Sequence, residues 1–294
     1  MHNTHILLTA DSGSTKTTWR LANDEKPTES AYINTQGINP IHQNDEEILS
    51  ILWKELLPQM ADTGRTHGWS SARVSRISFY GAGCFGEFSD KVSHLLGEVF
   101  PQATDITVDS DLMGAAIALY GHEPGIACIL GTGANSGLYD GERIVAHTNP
   151  MGYILGDEGS GASLGKSFLN LLYKGHLPHS LRQEFERSTG MGYAEVVQRV
   201  YREPLAARFL ASLSPFIHSH LHVPEVSQMV TDRFRDFFRL HIAPYRSATG
   251  ATTAATTPTA VGFVGSVAYH YRDLLGQAAE AEGFTLGKVL RQPL

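Results

Sequence analysis

Short apolar runs at 6–8, 74–79, 126–130 and 261–264 read as strands, and weaker extended signals at 17–21 and 105–108 add two more. Helical periods lie between them. Ile48, Leu49, Leu52, Leu56 and Leu57 form an apolar stripe behind the acidic first turn Asp45, Glu46, Glu47, and 89–100 and 111–120 continue the alternation of strand and helix. Runs at 136–139 and 143–146 flank Asp140, Gly141 and Glu142, which predicts a hairpin. From 162 to 241 the period is helical, with breaks near 175–178, 190–192 and Pro215. Val223, Val226, Met229, Val230, Phe234, Phe237, Phe238 and His241 make one stripe, read as core. Residues 247–259 are rich in Thr and Ala and carry no charge, so a loop without chemistry is expected there. No repeat of solenoid length is visible.

Composition narrows the picture. A chain of 294 residues, 42% hydrophobic and 9% aromatic, can bury one large core or two moderate ones, and two domains fit better. The net charge of -7 comes with no basic stripe, which argues against a nucleic-acid partner. Fourteen His residues are scattered. The one close set, His218, His220 and His222, reads as a solvated helix end or loop and not as a zinc site. Two cysteines, Cys84 and Cys128, rule out a disulfide framework and fit a reducing compartment. The N-terminal segment has no charged start followed by a long apolar core, and no apolar run approaches the roughly 20 residues that span a bilayer. A cytoplasmic location without a membrane partner is expected.

Three glycine-rich segments, ADSGSTKT (10–17), LGTGANS (130–136) and VGFVGS (261–266), each follow or contain an apolar run. Strand followed by tight turn exposes backbone N–H groups that can surround phosphate oxygens. In the first, Asp11 ends a strand and could hold a magnesium-bound water, while Ser14, Thr15 and Lys16 lie on the turn; the competing reading is an ordinary hairpin with a solvated Asp. In the second, Gly131 and Gly133 flank Thr132, and the competing reading is a plain turn between strands. The pattern GxxxxGK[ST] is absent, which disfavours a single-lobe P-loop fold. Between these turns, Asp109 and Asp111 stand at a strand-to-helix junction. Asp111 is read as a general base and Asp109 as structural, against the alternative that either caps the helix. In the segment 150–165, Asp157 is read as a substrate ligand, against an acidic helix cap that would favour Glu158.

Taken together, DSGSTKT, VDSDLMGAA, LGTGANS, GYILGDEGSGASLG and VGFVGS resemble the BadF/BadG/BcrA/BcrD-type ATPase family, which includes activators of benzoyl-CoA reductase and 2-hydroxyacyl-CoA dehydratase. The likeness is strongest to its N-acetylglucosamine kinase-like branch and runs from residue 6 to 294. It implies the α/β fold of actin, hexokinase and Hsp70: two ribonuclease-H-like lobes with mixed five-stranded sheets, flanking helices and an interlobe cleft. The expected lobes are 1–110, with 284–294 as a segment that could return to it, and 111–283, with a helical insert at about 174–245.

The resemblance also implies roles. ATP and Mg2+ would be the cofactors, with Asp11, Gly13, Ser14, Thr15, Lys16 and Thr17 as the first phosphate motif, Gly131, Thr132 and Gly133 as the second, and Gly265 and Ser266 at the adenosine. Asp11 would hold the magnesium through water, and Asp111 would activate the 6-hydroxyl of an amino sugar, N-acetylglucosamine foremost. Asn39, Gly83, Asn135, Met151, Gly152 and Asp157 would contact the sugar, and a homodimer is implied. Two other functions share the fold: an ATPase that activates a radical dehydratase or reductase through a cysteine-ligated cluster, and a silent sugar-binding protein. The sequence departs from the family at three points. Pro40 follows Asn39, the Thr- and Ala-rich stretch before Val261 is unusual, and the family's glycine-leucine turn and last helix do not follow Leu294; either the chain is shortened or that helix is absent, which leaves the support of the first lobe open.

Overall fold

The computed structural model describes residues 5–13, 15–26, 28–67, 69–248 and 260–294. Period-two burial is the rule that builds its sheets. Along β1 (Ile6–Ser12), Ile6, Leu8, Ala10 and Ser12 face inward and the residues between them do not. β1 pairs antiparallel with β2 (Lys16–Asn23), which pairs antiparallel with β3 (Ser30–Gln36). On its other side β1 runs parallel to β4 (Val74–Gly81), and β4 parallel to β5 (Asp105–Ser110), giving the order β3-β2-β1-β4-β5. The registers Ser12 to Gly81 and Gly81 to Ser110 end the three parallel strands level with one another. Whatever follows each strand therefore emerges at the same sheet edge.

A second sheet repeats this plan. β6 (Gly125–Leu130), β7 (Ala134–Tyr139) and β8 (Ile144–His147) form the antiparallel meander, β9 (Ala260–Val264) runs parallel to β6, and β10 (Thr285–Leu290) runs parallel to β9. Its order is β10-β9-β6-β7-β8. The chain divides into two compact units, one ending at Gly114 and taking back Pro293–Leu294, the other Ala115–Gln292. The segment 284–294 thus does not supply a strand to the first sheet. β9 offers its free edge to β10, and the Gly265 N–H donates to the Leu290 carbonyl at 2.9 Å.

In the first unit, Asn44 and Glu47 close a reciprocal cap on the helix Asp45–Ile51: the Asn44 side chain accepts from the Glu47 N–H and Glu47 accepts from the Asn44 N–H. Such a cap is worth about 1 kcal/mol, whereas each fully buried aliphatic side chain contributes about 1.5–3 kcal/mol. Burial of Ile48, Ile51, Leu52 and Leu56 therefore outweighs the cap in holding this segment. Trp19 and Phe79 pack at 5.7 Å in the same core. β3 escapes the sequence reading because it is an edge strand: only Ile33 and Thr35 are buried, too few for a visible alternation.

The second unit is built around phenylalanines from the helix Pro224–Phe237 and the turn that follows. Val226, Met229, Val230, Phe234, Phe237 and Phe238 are buried, as the stripe predicts. The expected break near Pro215 falls at Leu213, between the helices Ala206–Ser212 and Ser214–Ser219, and Pro215 occupies the first turn of the second, where its missing N–H costs nothing. His220, expected in solvent, is buried. It stacks on Phe216 at 4.2 Å and approaches Glu184 at 3.1 Å. At the start of β6, the Tyr120 hydroxyl donates to the Ile126 carbonyl and accepts from the Gly262 N–H, so a Cβ at Gly262 would stand 2.6 Å from that oxygen. Among the described residues no helix is long and apolar enough to cross a membrane.

Candidate functional site

The predicted residues fall into two groups, one on each unit. In the first unit the group forms where β1, β4 and β5 end. Asp11 is the penultimate residue of β1, and Asp111 opens the helix Asp111–Tyr120 directly after β5. Their charges repel: burial first, then the nearby Asp111 carboxylate, pushes Asp11 up to about 6, against a smaller opposing pull from Lys16. Asp111 is also pushed up to about 6, by burial alone; the Leu112 N–H and its own N–H donate to its carboxylate and hold the rise back. The Ser110 hydroxyl also accepts from the Met113 N–H at 3.2 Å. The cap is thus shared: Ser110 takes the Met113 amide, while Asp111 accepts from amides of the first turn, as the capping alternative expects. Asp109 instead turns back to accept from the Ser110 N–H at 2.6 Å.

Ser12 ties a further segment to this edge. Its buried hydroxyl accepts from the Ile38 N–H at 3.0 Å and lies 2.7 Å from the Thr17 hydroxyl. Next along the chain, Asn39 accepts from the Ile41 N–H and faces Gly83, where a Cβ would sit 2.5 Å from Asn39 Oδ1 and φ is +81°. Asn39 and Gly83 are thus neighbours. Cys84 lies buried beside them; burial, then Asp111 and Asp109, push its thiol up to about 12. On the β1–β2 turn, Gly13 donates to the Lys16 carbonyl at 3.0 Å, and Thr15 and Lys16 are exposed. Ser14 lies outside the described residues. Thr17 does not join the exposed turn, because it is fully buried and its hydroxyl is engaged by Ser12 and the Gln36 carbonyl.

In the second unit, four glycines meet. Gly131 closes its turn by donating to the Gly133 carbonyl, and its own carbonyl accepts from Gly161 at 2.8 Å. Gly265 adopts φ +127°, and a Cβ there would stand 2.2 Å from the Leu130 carbonyl oxygen. Only glycine fits this approach. Among the described residues the Thr132 and Gly133 N–H groups have no acceptor. Ser266 is exposed just beyond Gly265.

Asp157 packs on the same turn. Its carboxylate accepts from the Ala134 N–H at 3.3 Å and lies 3.2 Å from where a Gly133 Cβ would be. Asp157 itself is left-handed at φ +55°, and burial raises its pKa against the Ala134 bond. The cap of the helix Gly161–Tyr173 is Ser160, which accepts from the Ser163 N–H. Glu158, weighed in the sequence as that cap, instead meets His241 at 2.8 Å. His241 is therefore more than core: it stacks on Phe237, and its Nδ1 is buried without a partner among the described residues. Asn135 accepts from its neighbour Ser136 N–H and lies 2.8 Å from His147 Nε2. Met151 and Gly152 both take positive φ and are exposed at the start of the helix Gly152–Leu155. Ser12, Ser110 and the Glu158–His241 pair went unnoticed in the sequence, where serines and a lone histidine in an apolar stripe carry no signal. Residues 249–259 lie outside the described residues.

No family model and no curated protein matches the chain, whereas solved structures do. The crystal structure of a putative N-acetylglucosamine kinase from Porphyromonas gingivalis is 41% identical, over 98% of this chain and 95% of that one, with a TM-score of 0.88. A protein of the same description from Chromobacterium violaceum is 19% identical, covering 97% of this chain and 96% of its own, with a TM-score of 0.71. A ROK family glucokinase from Streptomyces griseus, solved with glucose and AMPPNP, is 15% identical over 98% and 94% of the two chains, with a TM-score of 0.50. The last two likenesses speak for the fold alone. The two mixed five-stranded sheets with flanking helices are those of the actin/hexokinase-like kinases.

Proposed function

Because the chain belongs to the BadF/BadG/BcrA/BcrD-type ATPase family, in its N-acetylglucosamine kinase-like branch, we propose that it is a sugar kinase. It transfers the γ-phosphoryl group of ATP to the 6-hydroxyl of an amino sugar, N-acetylglucosamine first. The observation that carries this reading is the juxtaposition of Asp11 and Asp111, two half-buried carboxylates whose affinity for protons is raised to about 6. Phosphoryl transfer asks little covalent work of a protein: charge must be neutralised, and the acceptor hydroxyl must be oriented and relieved of its proton. Asp111 suits the last task. A carboxylate raised to about 6 is ionised at neutral pH yet more basic than an ordinary one, and a well-placed general base is worth about 10²–10⁴ in rate.

Asp11 suits a different one. A carboxylate crowded by Asp111 favours a neighbouring cation, and among the described residues no three His, Cys, Asp or Glu side chains gather as a cage for a metal. Mg2+ would therefore be held chiefly by the triphosphate, with Asp11 binding one of its waters; when bound it offsets phosphate charge. The unengaged Thr132 and Gly133 N–H groups and the Lys16 ammonium are suited to phosphate oxygens. Asn39, at Gly83, and the segment bearing Met151 and Gly152 are assigned to the sugar, and Gly265 and Ser266 to the adenosine. Asp157 is assigned to the sugar with the added duty of bracing the Gly133–Ala134 turn. The alternative role as a redox activator calls for accessible cysteine thiolates. Cys84 and Cys128 are both buried, and burial pushes both thiols up.

The reading is tested by ADP release across N-acetylglucosamine, glucosamine, N-acetylmannosamine, N-acetylmuramic acid and glucose, with the phosphorylated carbon identified by NMR. N-acetylglucosamine 6-phosphate as the preferred product is expected. Turnover of glucose with none of the acetylated sugars overturns the substrate assignment, and no sugar-dependent ADP release overturns the kinase.

A further inference from the structure

Apart from the phosphate-type turns, and reaching the Met151–Gly152 segment only through its neighbours Tyr153 and Ile154, the second unit holds a cavity of about 690 Å3 beside the helices Gly161–Tyr173 and Tyr193–Tyr201. Pockets that take small organic ligands span about 300–1,000 Å3 and are mainly apolar with a few convergent polar groups. This one has an aliphatic floor of Val196 and Leu210, both buried. Its walls are aromatic: Tyr153, Tyr173, Tyr193 and Tyr201. Tyr173 and Tyr193 meet edge to face at 5.5 Å, yet Tyr193 is 62% and Tyr201 77% exposed, which leaves large ring surfaces uncovered. Both charged side chains lining it are cationic. Lys166 donates to the Tyr153 carbonyl at 2.9 Å and keeps further N–H groups free; Lys174 makes no side-chain bond or ion pair among the described residues.

We propose that this cavity binds a small planar organic anion, an aromatic body carrying a single carboxylate or similar acid group. Aromatic rings present edges and faces that favour a flat π-system over a branched aliphatic one. The absence of any carboxylate from the lining, together with the unpaired Lys174 ammonium, selects a negative group over a neutral or positive one. A lysine at the end of a helix is also favoured by the helix dipole, but the dipole gives no reason for four tyrosines around it. The site uses none of the side chains assigned to ATP and sugar, although Tyr153 adjoins Gly152 on the same short helix, and its occupancy can be measured without either ligand.

The probe is 1-naphthoate, compared by calorimetry with 1-naphthalenemethanol and 1-naphthylmethylamine on the intact chain. One naphthoate per chain is expected, bound more tightly than the alcohol, with the amine weakest. Lys174→Met keeps the aliphatic stem and removes the charge; it should weaken naphthoate about tenfold, as one charge contact warrants, and leave the alcohol within about twofold. Tyr201→Ala, at an exposed position that leaves the fold intact, should weaken both ligands about threefold through lost ring contact. Equal binding of acid and alcohol, naphthoate affinity unmoved by Lys174→Met, or no binding at all overturns the proposal.

Discussion

β1 and β6 occupy the same central place in their sheets, and each turns through a short glycine-bearing loop into the antiparallel strand beside it. Beyond that they diverge. At the first sheet's edge stand Asp11, after β1's last apolar residue, and Asp111, after β5; at the second sheet's edge the corresponding strands end in Leu130 and Leu290, with Gly131 and Gly265 in close backbone contact. One plan thus carries two kinds of equipment. Side-chain carboxylates furnish one end, and bare peptide groups furnish the other. A sheet that sets strand ends level can present either, because the topology fixes where a residue emerges and not what it is.

The largest effect that could break this contrast is on turnover. Asp111→Asn keeps size and the helix start but loses the base, so sugar-dependent ADP release should fall about 10³-fold with the melting temperature preserved or raised; a rate within a few-fold of the parent would remove the carboxylate end from the chemistry. Next comes stability at the glycine end. Gly265→Ala should cost about 1–3 kcal/mol, since φ is +127° and the new methyl meets a backbone carbonyl. Gly13→Ala, where the nearest atom to a new Cβ is 3.9 Å away, should stay within about 0.5 kcal/mol. Chemical denaturation of both variants makes the comparison.

The smallest effect is on pH. Asp11 and Asp111 have folded-state values of about 6, above the ordinary 3.8, so the folded chain holds protons that the unfolded chain releases. Their contribution to stability is complete below about 4 and is lost as pH rises through about 6. Activity should move the opposite way, falling as pH drops through about 6 and the base becomes protonated. In Asp111→Asn the loss of stability between pH 4 and 7 should shrink, as read from melting temperatures; an unchanged slope would mean that burial does not raise the Asp111 carboxyl.

Much of this was legible beforehand where a residue type has one physical use. Glycine turns after apolar runs, and an aspartate at a strand-to-helix junction, announce themselves. The duplication of the sheet was legible only through the family resemblance and not in the residue pattern itself, because two sheets need only similar patterns of burial, not similar residues, and β3 and β10 are edge strands with few apolar positions. Thr17 misled for a related reason. It shares a motif with exposed Thr15 and Lys16, and only the β1–β2 register turns its hydroxyl inward to Ser12. Glu158 and His241 lie 83 residues apart, a separation across which sequence spacing says nothing.

The Tyr120 hydroxyl, held between the Ile126 carbonyl and the Gly262 amide, has a bearing on descent. A methyl at 262 evicts that oxygen, and a phenylalanine at 120 strands the amide, so either replacement by itself is penalised. Among homologues the two positions should drift as a couple, with alanine at 262 accompanied by a smaller partner at 120.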